Sequence, residues 1–197
     1  LLRTALTSDS KRWFAVSGVG WQKVHVFNSD WKSVLTFPKE RNPGIADTQI
    51  LSREADKEPR LAVGYWGGVG VQGVGLDGKR KWTERTLDQV VQLTLVPPAA
   101  DSKDAPELWC TSSCGTILVL DDSGKPLREI SVGLRSMMQI GVARVDGVLH
   151  GCGLAVEGVG RYQAIGFAAD GEPLWRFKLP DGEYSHQVER VQHVTLA

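Results

Sequence analysis

A strand–turn–strand unit recurs along the chain and constrains its fold more than any other feature. The clearest copy is residues 164–179, in which apolar runs flank Asp170-Gly171. An Asp-Gly pair supplies the positive backbone dihedral angles that a two-residue hairpin turn requires. Similar turns are expected at Asp30, Asp77-Gly78 and Ser123-Gly124. The repeat is marked by Asp30, Gly78, Gly124 and Gly171, which are separated by 48, 46 and 47 residues.

A repeat of this length, built only from short strands, predicts an all-β fold of the β-propeller type. We expect four blades of four antiparallel strands, at residues 1–37, 47–86, 88–132 and 136–180. Residues 186–194 resemble the first strand of a further blade. Four blades and one strand make an incomplete ring, so we expect further residues or a second chain to complete it.

Charge and hydropathy argue against a nucleic-acid partner and against helices. The chain has 23 basic and 23 acidic residues and no clustered basic segment, which argues against a nucleic-acid partner. No apolar run reaches the roughly 18 residues of a membrane-spanning helix, so no such helix is expected. No segment shows the apolar spacing of an amphipathic helix.

Three cysteines cannot form a complete set of disulfides within one chain. Cys110 and Cys114 flank a predicted turn, and a bridge across that turn is one interpretation. The other is that Cys110 is a small core residue, because it occupies the strand position that Val16 and Val63 hold in other repeats.

Residues 164–177, AIGFAADGEPLWRF, resemble the repeat of quinoprotein-like (PQQ-like) propellers. In those repeats a strand ends in Asp, a Gly turn follows, and a Trp lies four residues after the Gly. Trp82 and Trp175 match that position, whereas Val34 and Arg128 occupy it in the other two repeats. The turns at residues 56–60 and 101–107 are also similar to those of FG-GAP propeller repeats.

The resemblance implies structural roles for several residues. It implies that Trp82 and Trp175 pack between adjacent blades, where a large ring buries much area. It implies that the turns themselves are formed by Asp77, Gly78, Gly124, Asp170 and Gly171. By analogy with this family, an extracytoplasmic location is favoured.

No cofactor and no metal are expected. Catalytic quinoproteins hold a quinone with calcium and a carboxylate, and some use adjacent cysteines, but this chain has no adjacent cysteine pair. Its Asp-rich loops carry Lys where calcium ligands would be needed. The glycines at residues 67–70 precede a predicted strand rather than the helix that a phosphate loop requires. No catalytic residue is assigned.

A binding surface is the functional hypothesis that remains. The loops that join second to third strands, and blade to blade, carry aromatic and charged residues of types that are enriched in binding hot spots. The candidates are Trp21, Tyr65, Trp66, Arg135, Glu157 and His186. We predict a non-catalytic propeller that binds a protein or peptide partner. The alternatives are part of a quinoprotein-like oxidoreductase, a carbohydrate-binding or sensor module, or a purely structural role for Trp21 and Trp66.

Overall fold

The computed structural model describes residues 1–52, 58–99, 105–113, 115–158 and 161–180. Across these ranges the regular secondary structure is entirely β. The strands of the first half are β1 (Leu2–Leu6), β2 (Arg12–Val16), β3 (Val24–Phe27), β4 (Ser33–Phe37), β5 (Ile45–Leu51), β6 (Arg60–Tyr65), β7 (Val71–Gly75) and β8 (Arg80–Glu84). Those of the second half are β9 (Val90–Val96), β10 (Glu107–Ser112), β11 (Thr116–Leu120), β12 (Pro126–Ser131), β13 (Ser136–Val145), β14 (Val148–Gly158), β15 (Arg161–Ala168) and β16 (Pro173–Lys178).

The strands form four antiparallel sheets in sequence order. Sheet 1 is β1-β2-β3-β4, sheet 2 is β5-β6-β7-β8, sheet 3 is β9-β10-β11-β12 and sheet 4 is β13-β14-β15-β16. The first strand of each sheet contacts the first strand of the next, from β1 to β5, β9 and β13. These four are the inner strands, about which the sheets fan out. The predicted all-β, propeller-type fold of four-stranded sheets is confirmed, and the further strand predicted at residues 186–194 lies outside the described residues.

The core consists of three apolar clusters, each filling the space between two successive sheets. Alternate residues of β11 show how one strand serves two clusters. Ile117 and Val119 pack towards sheet 4, while Leu118 and Leu120 pack towards sheet 2. Because side chains alternate across a strand, a strand that is apolar at every position must be covered on both faces. Face-to-face stacking of the sheets provides that cover.

The repeated turn differs in detail from the prediction. In each sheet a backbone hydrogen bond encloses three turn residues, for example Gly75 N to Lys79 O at 3.0 Å, so the prediction of two-residue turns is wrong. The third turn residue has positive φ: 73° at Gly78, and 59° at Trp31 in sheet 1. Asp30 therefore precedes the position that Gly holds in the other repeats. Positive φ strains a residue with a side chain, and Trp31 stacks on Phe14 with ring centroids 4.4 Å apart.

Candidate binding surface on the loop face

One end of the four sheets carries the connections between second and third strands together with the linkers from sheet to sheet. We call this end the loop face. Two exposed tryptophans lie there: Trp21, in the β2–β3 connection, is 51% exposed, and Trp66, in the β6–β7 connection, is 37% exposed. Val19 is also exposed. We call Val19, Trp21 and Trp66 the Trp patch.

The patch joins loops from two sheets, and glycines make the close approach possible. A Cβ atom at Gly20 would lie 3.3 Å from the Trp66 ring, and one at Gly18 would lie 2.3 Å from Trp21 Nε1. Any side chain at Gly18 would therefore displace the Trp21 ring. The aromatic surface depends on these two glycines of sheet 1.

Backbone hydrogen bonds fix the loops that carry the patch. Gly20 N donates to Ile45 O at 2.8 Å, and Ile45 N donates to Trp21 O at 2.8 Å. Trp66 N donates to Gly44 O at 3.0 Å. Ile45, at the start of β5, and the preceding Gly44 are thus bonded to the loops that carry Trp21 and Trp66, so the backbones of both tryptophans are held in place before any partner binds.

A cavity of about 400 Å³ adjoins the patch near the inner strands. Val19 and Trp66 line it from the loop face, and polar side chains of the inner strands, including Arg3, Asp47 and Gln139, line it below. The aromatic surface and the cavity therefore form one continuous concave region.

The two charged side chains in this cavity, Arg3 and Asp47, form hydrogen bonds with each other and with the backbone. Arg3 donates to both carboxylate oxygens of Asp47 at 3.0 Å and to Thr48 O at 3.2 Å. Asp47 also accepts from Thr48 N at 2.7 Å and Leu93 N at 3.0 Å. Burial raises the pKa of Asp47, and the Arg3 guanidinium and these backbone donors oppose that rise. The pair ties together sheets 1, 2 and 3.

Tyr65 does not belong to the surface, and its place among the predicted binding residues is corrected. It ends β6 in the core between sheets 1 and 2 and is 1% exposed. Its hydroxyl donates to Gln72 Oε1 at 3.3 Å. Burial raises the pKa of the Tyr65 phenol.

The other predicted binding residues lie apart from the patch in sequence and sheet. Arg135, in the β12–β13 linker, and Glu157, near the end of β14, are both exposed. Neither of these two described side chains lines the cavity. His186 lies outside the described residues.

Trp82 contacts two sheets. Its ring fills the space above Gly73 of its own sheet and beside Gly124 of sheet 3, where Cβ atoms would lie 2.1 and 2.2 Å from it. Trp175 covers Gly166 in the same way, but it is 50% exposed. Within the described residues Trp175 therefore packs on its own sheet and is not buried between two blades, contrary to expectation.

Among the turn residues that the resemblance implies, Gly171 packs against the neighbouring sheet, and Asp77 and Asp170 form hydrogen bonds within their own turns. Gly171 approaches sheet 3 so closely that a Cβ atom there would lie 2.6 Å from Ser131 O. Asp77 accepts from Lys79 N at 3.0 Å and Asp170 from Glu172 N at 3.1 Å, so each carboxylate braces its own turn.

The described part of the chain offers few groups for chemistry. Cys110 is a free, fully buried thiol in the cluster between sheets 2 and 3, and burial raises its pKa. Its position agrees with the interpretation of Cys110 as a small core residue, and Cys114, with which a bridge was the other interpretation, lies outside the described residues. Within the described ranges, no group of three His, Cys, Asp or Glu side chains is placed to hold a metal ion. These ranges also contain no helix of the length and hydropathy needed to cross a membrane.

Solved structures share this arrangement of sheets. BBS1N in complex with ARL6DN, from a crystal soaked with lead, matches with a TM-score of 0.62 and 16% identity over 90% of this chain and 53% of that chain. A mercury-soaked crystal of the same complex matches with a TM-score of 0.61 and 18% identity over 91% and 57%. Hydrazine synthase of Kuenenia stuttgartiensis matches with a TM-score of 0.65 and 14% identity over 90% and 48%.

These neighbours have propeller-type folds, and the stacked sheets described above define the same class of fold. The chain spans about half the length of the solved chains that it matches. Its sequence matches no protein-family model and no curated protein, so the resemblance to quinoprotein-like and FG-GAP repeats is not confirmed at the level of family.

Proposed function

We propose that this chain is a non-catalytic part of a β-propeller and binds a protein or peptide through its loop face, with the Trp patch at the centre of the contact. One observation carries the proposal. Trp21 and Trp66 remain exposed while their backbones are fixed by hydrogen bonds to Ile45 and Gly44. A preorganised aromatic surface loses little conformational entropy on binding.

The size of the patch indicates what kind of contact it makes. A Trp side chain carries roughly 150–250 Å² of surface, so the exposed parts of two such rings supply about 200 Å². A stable interface buries about 800 Å² on each partner. The patch therefore fits a hot spot within a larger contact. Arg135 and Glu157, which other sheets contribute to the loop face, are the proposed polar rim.

A protein partner has a structural precedent. BBS1N, which shares the fold, was solved in complex with ARL6DN. The described residues offer no comparable support for a quinoprotein-like oxidoreductase, since Arg3 and Asp47 of the cavity are bonded to each other and to the backbone.

The test is photo-crosslinking from Gln22, an exposed neighbour of the patch, in an extract of the source cells. Captured proteins are quantified by mass spectrometry for the parent protein, for the double variant Trp21→Ala/Trp66→Ala, and for Trp31→Ala. Trp31 is the matched control because it is also exposed but lies at the opposite end of the sheets.

We expect the double variant to reduce capture of a specific partner about ten-fold or more, as loss of a hot spot does, while Trp31→Ala leaves it unchanged. Equal capture by all three proteins would contradict the proposal. So would equal loss in both variants, because it would show non-specific adhesion to exposed aromatic rings.

A carbohydrate ligand is the second candidate, because the same exposed rings adjoin a polar-lined cavity. Binding to a glycan array that Trp66→Ala abolishes, in the absence of a crosslinked protein, would favour it. Trp31→Ala is again the control.

A further inference from the structure

The cavity beside the Trp patch contains an arginine with a free hydrogen-bond donor. Arg3 lines this cavity and uses its Nε and Nη2 groups to donate to Thr48 O and to the Asp47 carboxylate. Among the described residues its Nη1 group has no hydrogen-bond partner and is not enclosed, and the Arg3 side chain is 20% exposed. Asp47 thus holds the guanidinium in place while Nη1 faces the cavity.

Gln139 supplies a second donor to the same cavity. Its Oε1 atom is enclosed, whereas its Nε2 atom is not, and within the described part of the chain neither atom has a hydrogen-bond partner. The amide therefore turns its N–H group, and not its oxygen, towards the open space.

The acceptors that line the cavity are already used. The Asp47 carboxylate accepts two hydrogen bonds from Arg3 and two from backbone N–H groups, and a carboxylate has about four lone-pair sites. Gln92 Oε1 accepts from Ile140 N at 2.8 Å. A ligand group that reaches these side chains therefore meets donors, so it must itself be an acceptor.

The charge and the walls of the cavity narrow the class of ligand further. Of the described side chains that line it, Arg3 and Asp47 carry charge, and their charges cancel. A charged ligand would lose hydration here without meeting a net opposite charge. Val91 and Met138 supply apolar surface, and methionine adapts its shape to the group that it contacts.

We propose that the cavity receives one residue of the partner peptide, whose neutral backbone carbonyl accepts from Arg3 Nη1 and whose aliphatic side chain packs on Val91 and Met138. This inference rests on the proposed function for the source of the peptide. The Trp patch then forms the rim of the contact, and the cavity selects the residue that enters. A sugar fits less well, because each hydroxyl is a donor as well as an acceptor, and its protons would be left unpaired against these donors.

The test is an NMR titration of the whole chain with its methionine methyl groups labelled with ¹³C. The chain has two methionines. Met138 lines the cavity, whereas Met137 is fully buried between sheets 3 and 4 and is the internal control. The probe is N-acetyl-L-leucine amide, which has an aliphatic side chain between two neutral carbonyls. We expect a saturable shift of the Met138 methyl signal with a dissociation constant on the order of 1 mM, as suits so small a ligand, and no shift of Met137.

Val91→Phe fills the cavity without changing the Trp patch and should weaken binding of the probe about ten-fold or more, because it removes the space for the side chain. Val34→Phe is the matched control, since Val34 is 39% exposed on β4 and does not line the cavity. Arg3→Lys keeps the positive charge but has no Nη1 group, so it should weaken binding about ten-fold, as loss of one hydrogen bond to a charged group does. If Arg3→Lys does not fold, the Arg3 guanidinium signals of the parent protein decide: a shift on addition of the probe supports the proposal, and no shift overturns it.

Two further probes test the chemistry. N-acetyl-L-leucine carries a carboxylate, and methyl α-D-glucopyranoside is a neutral sugar; each should bind roughly ten-fold more weakly than the amide. Tighter binding of either would overturn the proposal. So would the lack of a saturable Met138 shift, or a shift that Val91→Phe leaves unchanged.

This inference and the proposed function fail in different ways. If crosslinking capture is lost in Trp21→Ala/Trp66→Ala but Met138 does not respond to the amide, the partner binds the patch alone and the cavity inference is refuted. If Met138 responds as expected but all three proteins capture equally, the peptide site is supported and the partner contact through the Trp patch is refuted.

Discussion

Trp82 and Trp175 offer a comparison that isolates the energy of contact between sheets. Each lies four residues after a turn glycine, and each covers a glycine of its own sheet, Gly73 or Gly166. Only Trp82 also contacts a glycine of the following sheet, Gly124. Replacing each Trp by Ala therefore removes the same atoms from two settings that differ in one neighbour.

The expected magnitudes follow from burial. A Trp side chain carries roughly 150–250 Å², and at about 25 cal/mol per Å² its complete burial stabilises by about 5 kcal/mol. Measured core substitutions of Trp by Ala cost about 3–5 kcal/mol. Trp82 is partly buried between two sheets, so we expect Trp82→Ala to lower the free energy of unfolding by about 3 kcal/mol. Trp175 is 50% exposed, so Trp175→Ala should cost only about 1–2 kcal/mol.

Urea unfolding followed by far-ultraviolet circular dichroism measures both values without using Trp as the probe. The m value should stay the same for both variants, because the difference then lies in stability and not in the surface exposed on unfolding. Equal losses for the two variants, or a larger loss for Trp175→Ala, would refute the reasoning. Either result would mean that the contact of Trp82 with Gly124 contributes nothing measurable.

Three further predictions concern individual residues. Gln92→Met should lower the free energy of unfolding by about 1–3 kcal/mol in urea titrations, because it leaves two polar groups of Ile140 without their partner. The bidentate hydrogen bonds from Arg128 lower the pKa of Glu107 below its usual 4.5. The stability that this ion pair contributes is therefore present above pH 4.5 and is lost as the pH falls through the lowered pKa of the folded protein. Glu107→Gln should flatten this part of the pH profile of the unfolding midpoint. Burial raises the pKa of Cys110, so peptide mapping after iodoacetamide treatment should find this thiol unmodified until urea unfolds the protein.

The sequence predicts the strands and their stacking because both depend on simple periodicities. The run Ile117 to Leu120 is apolar at every position, and alternation alone sends its side chains to two faces. Four such units at nearly constant spacing leave little choice other than sheets stacked in series. This reasoning needs no knowledge of how any two side chains meet.

The same alternation could have placed Tyr65 correctly. Leu61, Val63 and Tyr65 are two residues apart on β6, and all three belong to the cluster between sheets 1 and 2. The adjacent Trp66 lies just after the strand and is exposed. Grouping Tyr65 with Trp66 as loop residues overlooked that the strand continues for one residue more.

Other features could not be predicted from local patterns. The sequence contains Asp30 at the expected turn, but the backbone places Trp31 in the positive-φ position, where stacking on Phe14 accompanies the strain. The polar contacts between inner strands are similarly hidden, since a polar residue in a strand usually indicates a solvent-facing position. Arg3, Asp47 and Gln92 instead point towards the neighbouring sheet, and only their long-range partners show this.

The position of each contact along the sheet has a geometric cause. Sheets that fan out from an axis are closest at their inner strands, which contact one another, and diverge towards their outer strands. A narrow gap suits a side-chain amide that reaches a backbone, as Gln92 does, whereas a wide gap needs a large ring such as Trp82. On the face of sheet 4 that points away from sheet 3, Gln139 lies on the inner strand, and Trp175 and Phe177 lie on the outer strand. The polar residue on the inner strand and the aromatic rings on the outer strand match the positions of Gln92 and Trp82 at the contacts between described sheets.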